Sequence, residues 1–197
     1  MEAAIENGVA SVESGRWLVA RGQPAAVLGA FAPAKGYRAP GGWWSRTFSP
    51  DRQRLSFLET TGRMWCSAAS RPFLTRLDLG EAVSVVTDKL LLAPLSARKG
   101  SKLVKLIPFS WKNATCMTEL EIGWALMATK SRVVKVVVKE GETLGVKPES
   151  VVAWTGPRPT GFCPRLRLRD VFLPRRPKCL RFDFHGPAIV WIEGAEG

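Results

Sequence analysis

The chain has 197 residues, 46% of them apolar, enough to bury a sizeable core without disulfide or metal staples. Its formal charge of +12 speaks for an anionic partner and says nothing about fold. Four cysteines (Cys66, Cys116, Cys163, Cys179) form no C-x-x-C pair, which excludes a dense disulfide framework and fits reduced thiols.

Residues 1–15 read as a flexible polar lead-in. This start lacks the basic head and apolar core of a signal peptide and the Arg-rich, acid-poor bias of a transit peptide. From residue 16 to the C-terminus the reading is one β domain. Arg16 to Phe31 alternates short apolar runs with Gly22, Pro24 and Gly29, the punctuation of short strands. A Gly/Pro-rich loop then carries Trp43-Trp44, expected to cover a core edge. A strand-rich unit follows from Leu55 to Leu95. The basic segment Ala97 to Leu106 leads into another strand, and a second unit runs from Met117 to Thr155. No run approaches the roughly eighteen apolar residues of a membrane span.

Within the second unit, Ser131 to Thr155 reads as strand, turn, strand, turn, strand, a β-meander. Val134, Val136 and Val138 are placed on one face, and Val133, Lys135 and Val137 on the other. Lys139-Glu140-Gly141-Glu142 supplies a turn, and Pro148 ends a strand because it cannot donate to a ladder.

The chain also repeats. Gly62, Ser70, Arg71, Gly80 and Glu81 recur sixty-one residues later as Gly123, Ser131, Arg132, Gly141 and Glu142. Apolar positions keep register: Leu77 with Val138, Val83 with Leu144, Val85 with Val146, Leu91 with Val152. A third fragment around Gly186, F-D-F-H-G-P-A-I-V-W-I, matches the neighbourhood of Gly123. Fixed-period self-similarity constrains architecture more than any single motif. The expected fold is therefore all-β, an internally duplicated antiparallel β-sandwich or distorted barrel. Its units are placed at about 62–122 and 123–185, with a closing strand at 186–194.

Two basic clusters stand out. Arg158, Arg165, Arg167, Arg169, Arg175, Arg176, Lys178 and Arg181 face one acid, Asp170, in the same stretch. Arg165-Leu166-Arg167-Leu168-Arg169 would place three guanidiniums on one face of a strand. Arg98, Lys99, Lys102 and Lys105 form the second cluster. Guanidinium forks match phosphate oxygens, so both are candidate polyanion-binding residues for RNA, DNA or anionic lipid. The competing reading is an ordinary solvated face or charged strand edge.

Signs of catalysis are few. His185 is the sole histidine, which excludes a metal site built on several imidazoles. It is expected to cap a strand end. There is no G-x-S-x-G elbow and no phosphate loop with correct spacing. The expectation is a protein that is not an enzyme and needs no cofactor or metal.

The element G-E-T-L-G-V-K-P-E-S-V-V-A-W-T and the later F-H-G-P-A-I-V-W-I-E resemble the mitochondrial-biogenesis family called altered inheritance of mitochondria twenty-four. Gly141, Gly186 and Pro187 match its pattern, while Ala188 stands where a second glycine is usual. The resemblance covers residues 62 to 194. It implies a fold like that of the tryptophan RNA-binding attenuation protein, a non-enzymatic role, and a mitochondrial location in the matrix or on the matrix face of the inner membrane. The basic stretch Arg158 to Arg181 departs from the family pattern. The resulting expectation is a structural accessory subunit docked through a basic face on a large assembly. The mitochondrial ribosome is the first candidate, with RNA as the partner. The alternative is an inner-membrane organiser contacting anionic lipid or membrane-complex subunits.

Overall fold

The computed structural model describes residues 3–20, 25–30, 35–37, 55–68, 71, 73–105, 114–121, 123–162 and 181–194. Nearly all of them lie in antiparallel strands. In chain order these are β1 (Ala3–Glu6), β2 (Val9–Val12), β3 (Gly15–Ala20), β4 (Ala25–Ala30), β5 (Lys35–Tyr37), β6 (Leu55–Thr60) and β7 (Met64–Ala68). Next come β8 (Phe73–Leu79), β9 (Val83–Val86), β10 (Leu90–Pro94), β11 (Arg98–Lys105), β12 (Ala114–Leu120) and β13 (Gly123–Thr129). The last are β14 (Val133–Val138), β15 (Thr143–Val146), β16 (Val151–Thr155), β17 (Thr160–Phe162), β18 (Arg181–His185) and β19 (Ala188–Glu193).

Among the described residues these strands form four sheets, ordered β1-β2-β7-β4, β5-β6-β3-β10-β13-β8, β11-β12-β9-β16-β19-β14 and β15-β18-β17. The orders hide a rule: adding six to every strand number of the second sheet gives the third. Each run of six strands splits into two trios. The first, sixth and third strands pair with one another, as do the second, fifth and fourth. The pattern runs three times, through β2–β7, β8–β13 and β14–β19. The second strand of one unit then pairs with the third strand of the next, making the seams β3·β10 and β9·β16. The units read in the sequence at about 62–122 and 123–185 follow the same period but start one strand early, at the sixth strand of the preceding pass. Gly62, Gly123 and Gly186 sit at the junction of the fifth and sixth strands in successive units.

Equivalent irregularities reinforce the repeat. The third strand of every unit carries a register shift against the sixth, between Val27 and Gly29, Leu90 and Leu92, and Val151 and Ala153. A bulge adds a residue and sends neighbouring side chains to opposite cores. Leu90 and Ala93 thus enter one core while Leu91 and Leu92 enter another. Three hydrophobic cores lie between successive sheets among the described residues. The first holds Trp17, Met64, Cys66, Trp124 and Leu126; the second Leu77, Val85, Leu90, Leu120 and Met127; the third Val138, Val146, Trp154, Phe182 and Phe184. β13 serves two of them by alternation, Trp124, Leu126 and Ala128 to one side, Ala125 and Met127 to the other.

Three expectations are corrected. Within the stretch 1–15 read as a flexible lead-in, residues 3–12 are ordered: β1 and β2 form a hairpin turning at Asn7-Gly8, both at positive φ, with Ala3, Ala10 and Val12 buried. The Asn-Gly signal was in the sequence, but short strands of alanine and serine gave a weak apolar period. The stretch from Ser131 to Thr155 does contain its three strands, yet it is no meander. β14 pairs with β19, β15 with β18, and β16 with β9 and β19. Each connection crosses a core to another sheet instead of closing a hairpin. Finally, the clean two-faced placement of β14 fails, because this edge strand passes from one core to the next. Val133 packs on the second core and Val138 lies in the third, while Val134 and Val137 are exposed.

Candidate functional site

The six-strand pattern determines where the basic segments emerge. The fourth strand of each unit, β5, β11 or β17, is an outer edge of its sheet, and the connection from fourth to fifth strand springs from it. Arg98, Lys99, Lys102 and Lys105 lie on the fourth strand of the second unit, while in the third unit Arg158 precedes the fourth strand and Arg181 opens the fifth. Trp43, Trp44, Arg165, Arg167, Arg169, Arg175, Arg176 and Lys178 themselves lie outside the described residues.

The remaining cations can be placed. Arg98, Lys99, Lys102 and Lys105 lie along β11, which pairs over its length with β12. Lys99 reaches Glu121 at 2.8 Å, and this hydrogen bond and charge hold its ammonium above the usual lysine pKa. Arg158 is exposed in the approach to β17. Arg181 opens β18 opposite Phe162 and contacts Asp183 of its own strand at 2.8 Å, Nε to Oδ1. The first cluster thus lies on the sheet edge β11, and the two described residues of the second, Arg158 and Arg181, lie beside β17 and on β18, with Lys99 and Arg181 already tied to carboxylates.

His185 ends β18 between its two neighbours. Its Nδ1 lies 3.0 Å from the Thr143 hydroxyl on β15, and its Nε2 lies 3.4 Å from the Thr160 hydroxyl on β17. Both ring nitrogens are occupied in tying three strand ends together, the structural role expected of it. Glu142 likewise serves the turn, its carboxylate accepting from the Lys139 amide at 2.9 Å.

Sequence reasoning did not find a polar cleft of about 360 Å³ where the second and third units meet. The buried Lys89 ammonium donates to Glu193 Oε1 at 2.5 Å and to the Glu149 carbonyl. Glu193 Oε2 accepts from the Lys130 amide at 3.1 Å. Arg71 donates to the Asp88 and Ala128 carbonyls at 2.9 and 3.3 Å. Ser131 donates to the Gly194 carbonyl at 2.7 Å. Burial lowers the Lys89 pKa below the usual value, while the Glu193 hydrogen bond and charge act the other way. Lys89, Glu193 and Arg71 each hold another segment, so the cleft is a clasp: it binds the Thr87–Lys89 turn, the end of β19, the 147–150 turn and the 130–132 link. The recurrence of Ser-Arg at 70–71 and 131–132 was the signal for it, since both pairs fall in the links between units.

No protein-family model and no functionally described relative matches the sequence. A solved structure matches the fold. The crystal structure of a Streptococcus pyogenes protein superposes with a TM-score of 0.70 at 13% identity, covering 98% of this chain and 92% of that one. The likeness is one of fold. Among the described residues no group of three or more His, Cys, Asp or Glu side chains is placed to hold a metal. No described helix is long and apolar enough to cross a membrane.

Proposed function

We propose that this chain is a non-catalytic scaffold that docks on a phosphate-rich assembly through the fourth-strand edges of its repeating units. The observation that supports the reading is the run of Arg98, Lys99, Lys102 and Lys105 along the sheet edge β11, with Arg158 and Arg181 beside the equivalent strand β17 and its neighbour β18 in the next unit. A series of equivalent cationic arms suits a long polyanion, which offers phosphates at regular intervals. RNA is the polyanion proposed. The first assembly to test is the mitochondrial ribosome, a choice resting on the sequence resemblance and on the charge.

The test measures binding of the whole chain to a single-stranded RNA oligonucleotide at several salt concentrations. Affinity should fall with salt by about 0.7 log units per log unit of salt for each phosphate contacted. Reversing charge at Arg165, Arg167 and Arg169 together should weaken binding to all RNA sequences alike and flatten that slope. Unchanged affinity in this variant would overturn the reading.

A second reading draws on β14. Val134 and Val137 are 52% and 62% exposed beside the exposed Lys135 and Lys139. An apolar strand edge flanked by cations suits an anionic membrane surface. Binding to cardiolipin-containing vesicles and not to neutral ones, with no affinity for RNA, would favour it.

A further inference from the structure

We propose that copies of this chain join head to tail, β15 of one copy pairing antiparallel with β4 of the next and repeating between molecules the seam that the fold makes twice within one. The inference stands apart from the polyanion reading and rests on the topology of the ends.

Inside the chain, the second strand of a unit pairs with the third strand of the following unit, as β3 with β10 and β9 with β16. The last unit has a second strand, β15, and the first unit has a third strand, β4. Among the described residues β15 pairs only with β18, and β4 only with β7. The described strands thus leave two sheet edges, β15 and β4, that are the complementary halves of the internal seam. A sheet edge of this kind is a template for another strand, and proteins with unpaired edges either protect or use them. The extra strand β1 does not protect β4, since it covers β2 at the opposite edge of the first sheet.

Burial points the same way. Each inner core borrows side chains across a seam: Leu91, Leu92, Trp124 and Leu126 of the second unit enter the first core, and Val152 and Ala153 of the third enter the second. Among the described residues no strand of a further unit supplies such residues to the third core. Accordingly β9 buries Val83, Val85 and Val86, whereas on β15 only Val146 is buried and Leu144, the counterpart of Val83, is half-covered. A second copy's β4 would supply the missing cover.

The register follows from equivalence. Ala153 faces Val85 and Trp154 faces Ser84 in the β9·β16 seam. Gly29 and Ala30 hold the places of Ala153 and Trp154, as their pairing with Trp65 and Met64 on the sixth strand shows. Val146 is therefore set against Gly29, and Gly145 against Ala30, small residues that let two backbones approach. Lys147, where the inner seam has Val86, stands at the end of β15 with its ammonium able to reach water past a buried stem. Because the two surfaces differ, the contact is heterologous and propagates into a ring or a filament.

The experiment uses the full chain. Gly145→Cys and Ala30→Cys proteins are prepared separately, mixed and oxidised, with wild type as the control for native cysteines. Opposed residues of an antiparallel pair lie within disulfide reach. The expected result is a cross-linked species in the mixture that neither variant forms alone. Sedimentation of the wild type should show species heavier than the 21.6 kDa chain that grow with concentration. Lys147→Val, which restores the apolar residue of the inner seam, should lower the dissociation constant severalfold. A chain that sediments at 21.6 kDa at every concentration without the mixed cross-link overturns the proposal. Equal cross-linking of each variant with itself also overturns it, because that contact would be like to like. Circular dichroism confirms that each variant is folded.

Discussion

Cys66 sits in the first core, 1% exposed, and burial pushes its thiol from 9.0 up to about 11. A buried thiolate is disfavoured because low-dielectric surroundings solvate it poorly. Between pH 9 and about 11 the unfolded chain gives up a proton that the folded chain keeps, so folded stability falls as pH rises through that window. Below pH 9 this residue contributes no pH dependence. Urea unfolding of wild type and Cys66→Ala at a series of pH values checks the claim. The wild type's advantage should be constant to pH 9 and shrink above it; a gap unchanged to pH 11 would mean that the thiol ionises alike in both states. Gly186 illustrates a different constraint. A Cβ there would overlap the Lys139 carbonyl, a backbone group that cannot swing aside, at the point where Glu140 and Gly186 form an isolated bridge. Gly186→Ala should cost at least ~2 kcal/mol, as overpacking without room to relax does. Gly80→Ala, with nothing within 4 Å of the new carbon, should stay within about 1 kcal/mol of wild type. Equal midpoints for the two variants in thermal unfolding would refute the distinction.

At the scale of elements, existence was legible and pairing was not. Alternating valines announced β14, and β-branched runs between turn residues announced β15 and β16. Periodicity reports which faces are buried, not which strand lies alongside, and here every partner is remote in sequence. That is why a chain of strands and tight turns read as a meander. The β1–β2 hairpin was missed for another reason: its buried positions are Ala3, Ala10 and Val12, too small to give a strong signal. The clasp shows the same limit for the candidate site. Arg71 and Ser131 were noticed as repeat markers, but Lys89 and Glu193 lie in different units, and only the fold brings them together. The clasp also makes a quantitative prediction. Lys89→Met leaves Glu193 buried without its hydrogen-bonded cation, which should cost about 3–5 kcal/mol. Lys89→Met with Glu193→Leu replaces the pair by apolar side chains and should recover most of that loss. Denaturant midpoints of the wild type, the single variant and the double variant decide it. If the double variant is as unstable as the single, the pair is not the seat of the effect.

Across the whole molecule, the repeat couples its units more tightly than beads on a string. Each six-stranded sheet takes one trio from each of two units, so no core can be lost without opening a sheet that lines another. In arrays whose units contact only their neighbours, stability is a sum of unit and interface terms, and the ends, having one interface each, open first. The repeat itself was visible as recurring glycines and Ser-Arg pairs, but only from Gly62 onward. The first pass keeps the topology while its sequence has drifted, so two copies were legible where the fold has three. The consequence can be measured by hydrogen exchange. β9, β10, β13 and β16 occupy the two six-stranded sheets, with neighbours on both edges, and their buried runs Leu90–Pro94 and Val151–Thr155 are covered throughout. Their amides should be the slowest in the molecule, opening only with global unfolding. In dilute solution, where copies are apart, the amides of the three-stranded sheet β15-β18-β17 should exchange earlier through local opening. Uniform protection across all four sheets would show that the three cores unfold as a single unit.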